Sequence, residues 1–157
     1  MSDKIDNGGQ FPDLELSIVG AGKLSIPGDI NTPCALVLFY RGHWWPFCRR
    51  QLVGFEQLRE ALAELGVSII AGSVDSEDKL SEISNDIGFP VAWGMTRDMG
   101  NKVGAWWDEE RNFIQPSNFF MTNSGKVLAS SYASSPVGRM EPEDVMMLAN
   151  FIIKNSG

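Results

Sequence analysis

Cys48 follows Pro46 by two positions in the run Arg41-Gly42-His43-Trp44-Trp45-Pro46-Phe47-Cys48-Arg49-Arg50, a neighbourhood suited to an activated thiol. Proline fits the first position of a helix, where its missing N–H costs nothing. A cysteine in the same turn meets unpaired backbone N–H groups and the positive end of the helix dipole, and both favour a thiolate. Arg41, Arg49 and Arg50 add positive charge nearby, the last two reading as solvent-facing. Such a thiolate could attack a peroxide oxygen, giving a sulfenic acid and releasing water or an alcohol. His43, the single histidine, has an unperturbed pKa of about 6.5 and could accept the thiol proton or orient a substrate; an incidental loop histidine fits equally well. Trp44, Trp45 and Pro46 could wall an apolar pocket for a lipid or aromatic hydroperoxide, with Trp106-Trp107 as a second aromatic pair. Core packing or a homodimer contact explains the tryptophans equally well.

A thiol in that position needs a strand, a turn and a helix. Residues 35–40 are six consecutive apolar or aromatic side chains, the length of a buried strand rather than a buried helix. From Pro46 onward Leu52, Phe55, Leu58, Leu62 and Leu65 fall on one helical stripe. Residues 67–74 give a second buried strand. Ser76 can cap a helix running to Ile87, with Leu80, Ile83 and Ile87 inward. This βαβα order argues for a central sheet covered by helices on both faces, with right-handed crossovers. Residues 118–122 and 126–132 then flank Asn123-Ser124-Gly125 as a hairpin, which makes the sheet mixed. Glu141 and Pro142 open a last helix with Val145, Leu148, Ala149 and Ile152 facing the sheet. The Ser-rich residues 130–139 are the longest loop candidate, and residues 1–10 read as a mobile tail.

The cysteine run resembles the peroxiredoxins and related AhpC/TSA-type proteins of the thioredoxin-fold superfamily. With Phe39-Tyr40 laid on the strand that leads into their P-x-x-x-T-x-x-C motif, Cys48 takes the place of the peroxidatic cysteine. Arg41 then stands for the proline and Trp45 for the threonine. A branch with R-G-x-W-C-P-x-C is more similar still: there Trp45 replaces the first cysteine of a C-x-x-C pair. Phe11-Pro12-Asp13, residues 14–26 as small N-terminal strands, Phe89-Pro90-Val91 and Phe119-Phe120-Met121 extend the likeness over most of the chain. The resemblance implies an α/β thioredoxin-like fold, a mixed central sheet flanked by helices on both faces with a small N-terminal strand extension. Pro116 occupies the place of the family's activating arginine. It is expected to be a cis-proline lying against the cysteine, an expectation that the fold resemblance alone carries. Arg41, in the same loop, is the preferred substitute for that arginine; Arg139 reads as a solvated loop charge.

At 157 residues the chain fits one domain, and a domain of that size buries about 70% of its unfolded surface. A net charge of −7 disfavours nucleic acid or an anionic membrane as partner. Residues 1–10 are polar and fit neither a signal peptide nor a membrane span, so a cytoplasmic location is expected. Two cysteines and one histidine, with no ligand cluster, point to no metal and no cofactor. Cys34 lies near the start of one strand and Cys48 beyond its end, separated by six steps or about 20 Å, too far for a disulfide. Cys34 therefore reads as core, and an oxidised Cys48 needs glutathione, a thioredoxin-like protein or another subunit to resolve it. Two functions follow. One is a thiol oxidoreductase that reduces hydrogen peroxide or organic hydroperoxides through Cys48 alone; the other is a non-catalytic thioredoxin-fold binding module that has lost its C-x-x-C pair.

Overall fold

The computed structural model describes residues 4–42, 46–135 and 139–155. The strand expected over residues 35–40 is present as β3 (Cys34–Phe39), buried along its whole length. Its neighbours are parallel β4 (Val67–Gly72) on one side and antiparallel β8 (Ser117–Thr122) on the other. With β1 (Leu14–Ile18), β2 (Gly22–Ile26), β5 (Val91–Trp93) and β9 (Val127–Tyr132), these form a seven-stranded mixed sheet in the order β2-β1-β5-β4-β3-β8-β9. The N-terminal strand extension is the antiparallel pair β1 and β2, joined to the sheet through β5.

Alternation along β3 divides the core. Leu36, Leu38 and Tyr40 join one cluster with Leu52 and Phe55 of α1 (Pro46–Gln57), Leu62 of α2 (Arg59–Glu64), Leu80 and Ile83 of α3 (Glu77–Ser84), and Val145 and Ala149 of α5 (Pro142–Asn155). Ala35, Val37 and Phe39 join the opposite cluster with Phe11, Leu14, Phe119 and Met121, against which Met99 of α4 (Arg97–Lys102) packs. Burying an aliphatic or aromatic side chain of this size stabilises by roughly 1.5–3 kcal/mol, so the two faces of β3 anchor the fold.

Where the structure departs from the sequence reading, local contacts explain it. The long helix expected from Pro46 is broken at Leu58 (φ −103°, ψ 4°), where the Leu58 N–H bonds back three residues to Phe55. Glu56, beside the break, accepts from Arg59 and from the Gly88 N–H, which fixes the bend against the segment after α3. The α3 helix ends at Ser84 rather than Ile87, and Ile87 is buried in the following turn. Ser130 to Tyr132 belong to β9, not to a loop, because they continue the ladder opposite Ser117 to Phe119. The tail expected to be mobile is tied down from residue 5: Ile5 is buried, Gly8 and Gly9 bond to Val127, and Gln10 bridges to Lys126. Residues 1–3 lie outside the described residues.

The start of α5 sits hard against α1. A Cβ on Gly54 would lie 2.9 Å from Pro142 Cγ. No helix among the described residues is long and apolar enough to cross a membrane.

Candidate active site

The sheet delivers the cysteine. β3 ends at Phe39, opposite Ser117 of β8, and the chain passes through Tyr40 and Arg41 to enter α1 at Pro46, which is exposed. Cys48 is the third residue of α1 and is fully buried. Arg49 and Arg50 are exposed. Cys34 and Cys48 are both free thiols; Cys34 sits at the far end of β3, where burial pushes its thiol up.

Arg139 is the correction that matters most. Read from sequence as a solvated charge, it donates from Nη2 to Cys48 Sγ at 3.1 Å and from Nη1 to Gln51 Oε1 at 3.3 Å. Its place follows from the packing of α5 on α1, which brings the lead-in to α5 over the first turns of α1. Gln51 and Asn118, neither singled out by the sequence, complete the group: Gln51 Nε2 donates to Asn118 Oδ1 at 3.0 Å, and both residues are buried.

Arg41, the preferred substitute, is also buried but is otherwise engaged. Its Nη2 lies 3.8 Å from Asp108 Oδ2, and its guanidinium stacks 4.6 Å above the Phe113 ring. Burial pulls its pKa down, while the Asp108 and Cys48 charges support the cation and the Arg111 and Arg139 charges oppose it. Arg41, Cys48 and Arg139 thus share one electrostatic site. Tyr40 lies within it as well: burial pushes its phenol well above the usual range, with Asp75 and Cys48 contributing in the same direction. Asp75, itself buried, accepts from Ser73 Oγ at 2.8 Å.

Asp108 belongs to a short hairpin, β6 (Trp107–Asp108) and β7 (Phe113–Ile114). Its carboxyl is held below the usual range, chiefly by the Arg111 N–H, with further help from the Arg111 side chain and the Glu110 N–H and with burial opposing. A depressed carboxylate stabilises the fold above its unfolded pKa of about 3.9, and that contribution is lost as pH falls through the folded value. Asp108→Asn should therefore lower the melting temperature near neutral pH, and the difference from the parent should close on acidification below about pH 4. A difference independent of pH in thermal melts would refute this.

Pro116 is not the expected cis-proline. The Gln115–Pro116 bond is trans, and the cis X-Pro bond among the described residues is Ile26–Pro27. The Gln115 N–H bonds to Trp106 and the Pro116 carbonyl accepts from the Ala133 N–H at 2.9 Å each, which holds this segment extended between β7 and β8. Pro116 is buried and adjoins Ser117, so it lies at the sheet end from which the Arg41 loop leaves. Trp106 is half exposed beneath Lys4 Nζ at 4.0 Å, and Trp107 Nε1 donates to Asn112 Oδ1. His43, Trp44 and Trp45 lie outside the described residues.

Comparison with known proteins agrees with this architecture. A curated "Peroxiredoxin" of Chlorobaculum tepidum is 28% identical over 140 residues, covering 84% of this chain and 65% of the relative, so the chain spans about two-thirds of that protein's length. The fold is similar to that of Peroxidoxin BcpB from Mycobacterium tuberculosis (TM-score 0.81, 18% identity, 95% of this chain and 98% of that one). It is also similar to Peroxiredoxin 6 of Arenicola marina (0.82, 20%, 94% and 73%) and to a reduced 2-Cys peroxiredoxin of Plasmodium vivax (0.83, 15%, 95% and 82%). Residues 8–130 match the model of the AhpC/TSA family, a span that holds Cys48 and ends before Arg139. With most of its length matched and its mixed sheet and helices arranged as in solved peroxiredoxins, the chain belongs to the AhpC/TSA family and has a peroxiredoxin-like, thioredoxin-type fold.

Proposed function

We propose that the chain is a thiol peroxidase in which Cys48 is the working nucleophile. The observation that carries this reading is the Arg139 Nη2 to Cys48 Sγ contact of 3.1 Å at the first turn of a helix. The thiolate attacks the terminal oxygen of the peroxide and the O–O bond breaks. The leaving oxygen takes up a proton as water or an alcohol, and Cys48 becomes a sulfenic acid. The guanidinium and the helical N–H groups face the charge that moves from sulfur to the departing oxygen. Cys34 sits at the other end of β3, so resolution falls to an external thiol. One thiol condenses with the sulfenic acid to a mixed disulfide and water, and a second, glutathione or a thioredoxin-like protein, releases Cys48. A cytoplasmic setting, where such thiols are kept reduced, suits this cycle.

Cys48 is fully buried, and this favours a second reading, a binding module that retains the fold without turnover. The test is stoichiometric oxidation by hydrogen peroxide and by cumene hydroperoxide in a Cys34→Ser background, read by intact mass with a sulfenic-acid trap. Oxidation far faster than that of free cysteine, with trapped sulfenic acid, is the expected result. Oxidation no faster than free cysteine with either peroxide would overturn the peroxidase reading in favour of the module.

A further inference from the structure

We propose that Lys4 is the clasp of an N-terminal strap, and that acylation of its side-chain amine opens the clasp. The ammonium lies in a cage that the rest of the fold has built. Lys4 Nζ donates to the Gly104 carbonyl at 2.7 Å, sits 4.0 Å above the Trp106 ring and lies 4.8 Å from the centre of the Tyr132 ring. Each wall is held by bonds of its own. The Tyr132 hydroxyl donates to the Val103 carbonyl at 2.5 Å, the Trp106 carbonyl accepts from the Gln115 N–H at 2.9 Å, and the Gly104 N–H bonds to Asn101. A cation at two aromatic faces and a carbonyl is attracted by all three. Lys4 is half-buried and Trp106 is 48% exposed, so the clasp lies at the surface, within reach of a reagent.

The clasp holds the residue beside it. Ile5 is buried in the core face opposite the one that holds Cys48. Its N–H donates to the Tyr132 hydroxyl at 2.9 Å, and its carbonyl accepts from Ser130 Oγ at 2.6 Å. Farther along the chain the attachment is different: the Gly8 N–H bonds to Val127 at 2.7 Å and the Phe11 N–H to Gly125 at 2.8 Å. Gly8, at φ +94°, turns the chain between the two attachments in a conformation that favours glycine. Residues 4–6 can therefore lift while residues 8–11 stay paired.

An acyl thioester supplies the switch. The ammonium gives one proton to solvent, the neutral amine attacks the thioester carbonyl carbon, the C–S bond breaks, and the thiol leaves with a second amine proton. Burial pulls the Lys4 amine below its usual pKa, which enlarges the neutral share that attacks. The product is an uncharged amide with a single N–H. It offers the rings no cation, and the added acyl group exceeds the space that the ammonium filled.

The experiment follows deuterium exchange at the Ile5 and Phe11 backbone N–H groups by NMR. The full chain carrying Nε-acetyl-lysine at position 4 is compared with the parent, Lys4→Arg and Lys4→Met. Acetylation and Lys4→Met should each speed exchange at Ile5 about tenfold, the loss of a partly desolvated cation from its rings, and should leave Phe11 unchanged. Lys4→Arg keeps the charge and the donors, so its Ile5 exchange should stay within about threefold of the parent. The acceleration by acetylation should be smaller in a Trp106→Leu background, where part of the cage is already gone. Any of four results would overturn the proposal: Ile5 exchange unmoved by acetylation, Lys4→Arg as fast as Lys4→Met, an undiminished effect of acetylation in Trp106→Leu, or equal acceleration at Ile5 and Phe11. The last would show a general loosening of the fold in place of a strap that lifts at one end.

Discussion

Arg139→Ala should slow the oxidation of Cys48 by hydrogen peroxide about a hundredfold, the usual loss when one preorganised charge-facing donor is removed. The alanine takes away the donor that touches Sγ and the positive charge beside it. It also leaves Gln51 Oε1 without its guanidinium partner, an unmade buried bond that costs about 1–3 kcal/mol of stability. Activity and stability therefore fall together, and Arg139→Lys separates them. Lysine keeps the charge but has no planar fork to satisfy Gln51 and Cys48 at once, so it should recover part of the rate and little of the geometry. Stopped-flow oxidation at several pH values reads both effects. A rate in Arg139→Ala within twofold of the parent would mean that the guanidinium contact has no part in the chemistry.

Phe119→Ala should cost about 3–5 kcal/mol, a large share of the roughly 5–15 kcal/mol that holds a domain folded. Phe119 is fully buried in β8, and its ring meets Phe11 edge-on at 5.1 Å, Tyr132 at 5.5 Å and Phe39 at 6.1 Å. One ring thus joins the N-terminal segment, the centre of the sheet and its edge strand. Removing it loses both apolar burial and three directional ring contacts, each worth about 0.5–1.5 kcal/mol beyond area. The urea midpoint should fall with little change in slope. Phe119 belongs to the core face opposite the one that buries Cys48, so molecules still folded should be oxidised at the parental rate. A loss under about 1 kcal/mol would show that the site collapses around the gap.

The contrast between these two residues explains what the sequence disclosed. Residues 35–40 form a continuous apolar or aromatic run and residues 67–74 a mostly apolar one, and such runs announce buried strands without outside help. The hairpin announced itself through Asn123-Ser124-Gly125, and Pro142 marked the start of the last helix. The place of Cys48 in the first turn of α1 was legible because the signals for it are local, a proline and a helix start. Arg139 was not, since an arginine beside serines and a glycine looks like any solvated charge until the packing of α5 on α1 is known. Gln51 carries no sequence signal at all; its hydrogen-bond partners lie on β8 and before α5. The trans Pro116 failed for a related reason: hydrogen bonds to Trp106 and Ala133 set that segment, and neither partner adjoins it in sequence. Two-residue strands such as β6 and β7 fall below the length at which periodicity speaks.

The Cys48–Arg139 contact joins positions 91 residues apart, so it exists in the finished fold and in no local fragment of it. A ribosome releases the thiol long before it makes the guanidinium. During that interval, and again whenever the chain unfolds, Cys48 meets oxidants as an ordinary cysteine. On the peroxidase reading the fold delays reactivity until the rest of the molecule is in place, and the speed of oxidation at this one sulfur would then count how many molecules have finished folding.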